Sequence, residues 1–362
     1  MNRLNYSARI EGLTDRFDAL EVDGMLLHSF ESRRYFSGFT GSHGWLIVSD
    51  GEKTLFTDQR YIEQAEAEAE EWTIKGCGIN RLGDLGRVLK GSGISRLGFE
   101  ADTLTVAEYN ELTAGLQGIT FIPMIDLSVS MRAVKDGGEQ DRIRRALGMA
   151  EDAFLKLLDV IEPGMKEREV AALLEKLMCE QGSEGPAFDT IVARGSNTSK
   201  PHHAPGQDKI GVRDAVLLDF GARCEGYRSD ITRMIFMSGV PAEYKDILDA
   251  TEEALRTVEE GLKPGMTGAE ADALARDVYI RRNLEQYTLR GLGHGVGLAI
   301  HEWPRVVMED TSTLEPGMIC TLEPGVYLSG KAGVRLEDLV LITETGIEVL
   351  NTTPWAVRLN KE

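Results

Sequence analysis

The tripeptide Pro163-Gly164-Met165 recurs as Pro264-Gly265-Met266, an offset of 101 (264 minus 163). At the same offset Glu169 meets Glu270, Ala172 meets Ala273 and Leu173 meets Leu274. Both copies read as a turn followed by an amphipathic helix, and Thr267 with Glu270 adds a capping-box pattern to the second. The tripeptide alone is a weak match. The shared helix pattern behind it argues for two related halves, and such halves often meet at a functional cleft.

The repeat occupies only the later part of the chain. At 362 residues the chain is too long for one compact core and fits two domains. Upstream of the repeat the pattern predicts strands over 24–27, 45–48 and 54–57, the last two joined by a hairpin signal at Ser49-Asp50-Gly51. A helix is expected over 61–71, a strand over 72–75, a helix near 82–89, a strand over 97–99, a helix over 106–116 and a strand over 119–122. This is a mixed α/β domain. The polar stretch Lys135-Asp136-Gly137-Gly138 then precedes a helix whose apolar positions are Ile143, Ala146, Leu147, Ala150, Phe154, Leu157 and Leu158. The boundary is placed near residue 132, giving domains 1–132 and 133–362.

Charge and cysteine usage remove several function classes. The formal net charge is −19, from 40 basic and 59 acidic residues. Such a surface repels phosphate backbones and anionic lipid, which argues against nucleic acid or membrane partners. No apolar run approaches a membrane span, and residues 1–10 lack the apolar stretch of a secretory signal. Cys77, Cys179, Cys224 and Cys320 form no CxxC pair, so they read as reduced thiols of a cytoplasmic protein.

The chemistry concentrates in two strand pairs. The run Ala215-Val216-Leu217-Leu218 ends in Asp219, and a second strand over 227–237 carries Asp230. Glu225-Gly226 lies between them as a turn candidate, and a hairpin centred between Cys224 and Glu225 would set Asp219 opposite Asp230, with Cβ atoms about 4.5–5.5 Å apart. The device repeats later. A strand over 319–323 ends in Glu323, a strand over 334–343 carries Glu337, and Gly330 is the midpoint between them. Arg335, Glu337, Leu339 and Leu341 share one face of that second strand. A single acid here would be a solvated strand residue. Four acids at matched hairpin positions, flanked by apolar runs, need a shared proton or a cation. Four of the six histidines fall nearby, at His202, His203, His294 and His301; His28 and His43 read as structural. Glycines around His294 are expected to bare the backbone to a metal or substrate. One imidazole with four carboxylates is a hard ligand set. It suits two divalent ions, manganese or cobalt first, zinc or iron next. Two-metal sites are hydrolytic devices, and aminopeptidases are among the enzymes that use them.

Seven stretches now make the sequence recognisable: Phe188-Asp189-Thr190-Ile191-Val192-Ala193, Pro201-His202-His203, Leu218-Asp219-Phe220-Gly221-Ala222, Gly226-Tyr227-Arg228-Ser229-Asp230-Ile231-Thr232-Arg233, Gly293-His294-Gly295-Val296-Gly297, Leu322-Glu323-Pro324-Gly325 and Val334-Arg335-Leu336-Glu337-Asp338. They resemble the methionine-aminopeptidase/prolidase superfamily of pita-bread metallopeptidases, within it the Xaa-Pro branch. Tyr35-Phe36-Ser37-Gly38-Phe39-Thr40-Gly41-Ser42 and Thr57-Asp58-Gln59-Arg60-Tyr61 resemble the family's creatinase-type N-terminal domain, with Ser32 where many members have Asn. The resemblance implies an α/β creatinase-like domain followed by an α+β pita-bread catalytic domain with pseudo-twofold halves. It implies that Asp219 binds one metal through both oxygens, that Asp230 and Glu337 bridge two metals, and that His294 and Glu323 bind the other. It implies attack on the scissile carbonyl by a hydroxide held between the metals, with Glu323 as proton shuttle, His301 on the intermediate and His202 on the leaving-group side. Arg335 would orient the acids, and Tyr327 is either a further site residue or a packed core tyrosine. The implied partners are proline-containing peptides and a second copy in a homodimer.

Rival readings fare worse. Asp219-Phe220-Gly221 echoes a kinase metal triplet, yet no HRD-type loop or glycine-rich phosphate loop precedes it. A cysteine hydrolase using Cys320 with His301 leaves the four acids unexplained. A metal-free binding module conflicts with the complete ligand set, and a relative cutting a non-peptide C–N bond is the runner-up among enzymes. Within the family, Gly38 to Ser42 and Thr57 to Tyr61 lean toward an aminopeptidase P acting on longer peptides, with a prolidase acting on Xaa-Pro dipeptides as the alternative.

Overall fold

The computed structural model describes residues 4–78 and 80–360, and the chain divides at Met131/Arg132 into two compact units. The first unit is built on a six-stranded sheet: β1 (Gly24–Leu27), β2 (Trp45–Ser49), β3 (Glu52–Asp58), β4 (Thr73–Cys77), β5 (Arg96–Glu100) and β6 (Thr120–Met124), in the order β4-β3-β2-β1-β5-β6. The predicted hairpin forms: Ser49 pairs with Glu52 around Asp50-Gly51, where Gly51 takes φ 75°. β1 and β2 are also antiparallel, whereas β3–β4, β1–β5 and β5–β6 run parallel, so helices must cross between those pairs, which accounts for the alternation read from sequence. Leu26, Ile47, Phe56 and Leu97 are buried against Leu85, Leu89 and Leu112 of the covering helices. The helices Tyr6–Thr14 and Phe30–Ser37 lie outside the elements expected from the sequence. The latter starts at Ser29, whose side chain accepts from the Ser32 N–H.

In the second unit the long helix Gly137–Val160 begins at Asp136, which forms a reciprocal capping box with Glu139. Its expected apolar face is buried from Ile143 to Leu157. The internal repeat is visible in three dimensions. Helices Gly137–Val160 and Glu167–Glu180 form one consecutive pair, Ala242–Gly261 and Gly268–Arg281 the other, and the second members start 101 residues apart (268 minus 167). Each pair turns on the repeated glycine in a left-handed conformation, Gly164 at φ 95° and Gly265 at φ 88°. Each turn docks on the same kind of partner: the Gly164 N–H donates to the Ile210 carbonyl at 2.7 Å and the Gly265 N–H to the Leu314 carbonyl at 2.8 Å.

The strands of this unit are β7 (Ile191–Arg194), β8 (Ala215–Phe220), β9 (Arg223–Cys224), β10 (Tyr227–Arg228), β11 (Ile231–Phe236), β12 (Gly293–Gly295), β13 (Glu302–Val306), β14 (Ile319–Leu322), β15 (Gly325–Leu328), β16 (Ala332–Arg335), β17 (Asp338–Ile342), β18 (Ile347–Val349) and β19 (Ala356–Arg358). They form a sheet β19-β11-β8-β7, a sheet β13-β12-β14-β17-β18 and the two short pairs β9–β10 and β15–β16. Matched antiparallel pairs, β8 with β11 and β14 with β17, thus lie at the heart of the two halves. The helix pair Ala242–Gly261 and Gly268–Arg281 packs its buried face on a core that includes Leu217, Met234, Val306, Cys320 and Val340, drawn from both sheets. Two related halves, each a helix pair with a central antiparallel strand pair, are the arrangement that the resemblance implies. No helix is long and apolar enough to cross a membrane among the described residues. The four cysteines are free thiols, three of them buried.

Candidate metal centre

Both central hairpins present acids where the pairing ends. In the first, Asp219 pairs with Thr232, and Phe220 pairs with Ile231. The expected face-to-face placement of Asp219 and Asp230 is therefore corrected by two residues. The turn is Glu225-Gly226, both at positive φ (49° and 80°), so the hairpin centre moves by one residue. A two-residue shift keeps a side chain on its face, because the side-chain period of a strand is two. Asp230 still reaches Asp219, from the diagonal. In the second hairpin, Leu322 pairs with Asp338 and Gly325 with Arg335, the register that centres on Gly330 and sets Glu323 opposite Glu337. The strand expected over 334–343 is interrupted, with β16 ending at Arg335 and β17 starting at Asp338. Pro324 is the reason: it has no N–H to donate, and only its carbonyl joins the ladder, accepting from Leu336.

The carboxylates converge. Ligand-capable oxygens of Asp219, Asp230 and Glu337 lie within 4.8 Å of one another. Asp219 Oδ1, Asp230 Oδ1 and Glu337 Oε1 are buried with no hydrogen-bond partner among the described residues. His294 Nε2 stands 3.6 Å from Asp230 Oδ2 and 3.4 Å from Glu323 Oε1. Its Nδ1 lies 3.1 Å from the Gly295 carbonyl, and as donor to that carbonyl it leaves the Nε2 lone pair facing the acids. Burial pushes the His294 imidazole down, which favours this neutral form. Three orphaned oxygens and one aimed imidazole fit a divalent metal centre, with Glu323 beside them.

Arg335 is the only Lys or Arg hydrogen-bonded to these carboxylates among the described residues. It pairs with Asp219 Oδ2, and its Nε donates to Thr232 Oγ1 at 3.1 Å. Nη1 donates to Tyr327 Oη at 2.8 Å and to the Pro201 carbonyl at 3.3 Å. Asp219, which the resemblance has binding through both oxygens, thus has one of them already engaged by Arg335. Thr232, absent from the sequence-derived set, donates to Glu337 Oε2 at 2.6 Å. It sits two residues after Asp230 on the same strand face, and that spacing was the available signal. Thr321 was also missed; it donates to Glu323 Oε1 at 3.2 Å and accepts from the His294 N–H at 3.0 Å.

The two-histidine motif splits. His203 Nε2 lies 2.8 Å from Glu167 Oε2, a fully buried carboxylate that also accepts from the N–H groups of Arg194 and Gly206 and from Asn197. Nothing in the local sequence marked Glu167. His202 is exposed. His301 stands edge-on to His294 with ring centroids 4.3 Å apart, and desolvation of the ring followed by the neighbouring His294 holds its pKa down. The glycines around His294 serve a different purpose from the one expected. A Cβ on Gly293 would meet the Thr321 carbonyl at 2.0 Å, on Gly295 the Trp303 carbonyl at 2.1 Å, and on Gly297 the Glu302 carboxylate at 2.2 Å. At these positions a side chain would collide with neighbouring protein.

Asp230, Glu323 and Glu337 all have raised pKa values, through burial first; repulsion among the acids adds to it in Asp230 and Glu337, and Asp219 adds to it in Glu323. A carboxyl raised on folding contributes stability at low pH that is lost as pH climbs through its folded value. Glu151 and Glu167 have lowered values and are already ionised above the ordinary carboxylate range, so they contribute a constant there. His43, His294 and His301, held below the ordinary imidazole value by burial, add stability as pH rises to about 6.5, so the melting temperature of metal-free protein should fall as pH rises beyond about 6.5, while metal-loaded protein should fall less. Scanning calorimetry of both forms checks this. A metal-free protein that becomes more stable across that range would contradict the assignment.

The chain matches metallopeptidase family M24 over residues 141–344 and the Creatinase/Prolidase N-terminal domain over residues 9–134. The Xaa-Pro dipeptidase of Pyrococcus furiosus is 35% identical over 346 residues, 95% of this chain and 98% of that protein. Among solved structures, the Xaa-Pro dipeptidase from Bacillus anthracis superposes with a TM-score of 0.95 at 38% identity, covering 98% of this chain and 100% of its own. The X-Pro aminopeptidase from Thermotoga maritima superposes with a TM-score of 0.90 at 33% identity, covering 97% and 99%.

Proposed function

Because the chain belongs to metallopeptidase family M24, we propose that it is an Xaa-Pro dipeptidase that hydrolyses the bond before proline with the aid of two divalent ions, manganese first among them. The observation that carries the metal reading is the set of orphaned oxygens on Asp219, Asp230 and Glu337 facing His294 Nε2. The dipeptide preference is supported by the activities of the Pyrococcus and Bacillus relatives. It replaces the lean toward aminopeptidase P drawn from the Gly38 to Ser42 stretch, a lean the Thermotoga neighbour keeps as the second reading.

Asp219 through Oδ1, Asp230, His294, Glu323 and Glu337 would hold the ions. When bound, divalent metal polarises a carbonyl and lowers the pKa of water at the site. The chain's own residues do the rest. Arg335 holds Asp219 and Tyr327 in place, and Thr232 fixes the rotamer of Glu337. Glu323, whose carboxyl is raised by burial and held by Thr321, takes a proton from the attacking water and returns it to the departing proline nitrogen. Neutral His301 donates an N–H to the oxyanion as it develops. His202 contacts the leaving-group side.

A substrate panel tests the reading. Purified protein with manganese should cleave Ala-Pro and Met-Pro dipeptides well, and Xaa-Pro-Yaa peptides of three or more residues poorly. Cleavage of the longer peptides with dipeptides left intact would transfer the assignment to an aminopeptidase P.

A further inference from the structure

Three charged side chains away from the carboxylate cluster have almost no exposure: Glu302 at 1%, Lys135 at 0% and Arg132 at 5%. Lys135 Nζ lies 3.0 Å from Glu302 Oε1, and Arg132 Nε lies 3.3 Å from Glu302 Oε2. Lys135 also donates to the carbonyls of Ala133 at 3.1 Å and Trp303 at 3.3 Å. Buried ion clusters of this kind are poor sources of stability, because desolvation offsets most of the Coulomb gain. What the cluster touches is more informative.

Glu302 directly follows His301. Its carboxylate accepts from the Ala299 N–H at 3.3 Å and lies 2.2 Å from where a Cβ on Gly297 would stand, so a side chain there would displace it. Its backbone pairs with Gly295 at the point where the β12–β13 ladder shifts register. From the other side Arg228 holds the same turn: its N–H donates to the Gly297 carbonyl at 2.9 Å and its Nε to the Leu298 carbonyl at 3.1 Å. The turn so held carries His294 at its start and His301 at its end.

We propose that Glu302, drawn by Lys135 and Arg132 beneath residues 295–299, is the positioning residue that sets His301 beside His294. The inference rests on the peptidase reading for what His301 does. His301 is exposed and makes no hydrogen bond of its own among the described residues, so its place depends on the backbone on either side. A shift of about 1 Å in a reacting group costs about 10²-fold in rate. A carboxylate tied to two cations and one N–H resists such a shift far better than packing of a small turn.

Lys135→Met tests this. It leaves Glu302 paired with Arg132, so the carboxylate is not stranded. The variant should keep its metal and a KM within about twofold, while kcat falls by about 10²-fold. In a His301→Ala background the same change should alter kcat by less than about twofold, since the two act through one group. In metal-free protein the imidazole proton resonances of His294 and His301 should move, and those of His28 and His43 should not. Unchanged kcat per metal-loaded site, an equal loss in the His301→Ala background, or unmoved resonances would each overturn the proposal. If Lys135→Met does not fold, Arg132→Gln keeps the Lys135–Glu302 pair and carries the same three readouts. A His301→Ala enzyme with normal turnover would overturn the role of His301 in the functional reading, and the resonances of metal-free Lys135→Met protein would still decide the positioning.

Discussion

Stripping divalent metal from the protein should abolish Xaa-Pro hydrolysis and lower its melting temperature in the same step. Asp219, Asp230, Glu323 and Glu337 bring four carboxylates together against the single guanidinium of Arg335. Three of the four carry a buried oxygen with no hydrogen-bond partner among the described residues. Such groups are costly when ionised and unpaired. Metal at about 1,000 times its dissociation constant stabilises the folded state by about 4 kcal/mol. For a unit of this size that is on the order of 10 °C in melting temperature. Manganese or cobalt should restore both properties. In Glu337→Gln the thermal shift should shrink, because the variant loses an acid that faces Asp219 and Asp230. Full activity in protein shown by elemental analysis to be metal-free would defeat the two-metal reading, and an undiminished shift in Glu337→Gln would show that Glu337 is not a ligand.

His301→Ala should keep its metal and a near-normal KM while kcat drops by about 10²–10³, equivalent to roughly 2.7–4 kcal/mol. Geometry is the reason. The His301 ring lies 4.3 Å from that of His294, and its lowered pKa keeps it neutral, with one N–H to give. A donor that strengthens as negative charge develops on the carbonyl oxygen lowers the barrier without tightening the ground state. If His301 only packs against Trp303 and Pro304, the variant will lose stability and keep its turnover. Metal content, melting temperature and kcat from one preparation separate the cases. Normal kcat, or loss of metal, would rule out His301 as the oxyanion donor.

Periodicity and turn chemistry made much of this protein legible in its sequence. The offset repeat announced two helix pairs, and the left-handed glycines Gly164 and Gly265 turn both. The second hairpin was readable to the residue, because Gly330 sits at φ 69° in the turn and the register on either side follows from it. In the first the turn dipeptide Glu225-Gly226 was legible but its centre was not, because Glu225 adopts a left-handed conformation that its residue type does not advertise, and the centre moved by one. The acids stayed on the right face all the same, since a strand repeats every two residues and the shift was two.

Tertiary structure alone decided what surrounds the acids. Arg335 reaches Asp219 across 116 residues of sequence, Thr232 reaches Glu337 across 105, and Arg132 reaches Glu302 across 170. The purpose of the glycines beside His294 was likewise hidden until Thr321, Trp303 and Glu302 were seen against them. A local pattern specifies which way a side chain points along its own strand or helix. Which distant group meets it depends on how the sheets and loops of the two halves come together, and no spacing along the chain encodes that meeting.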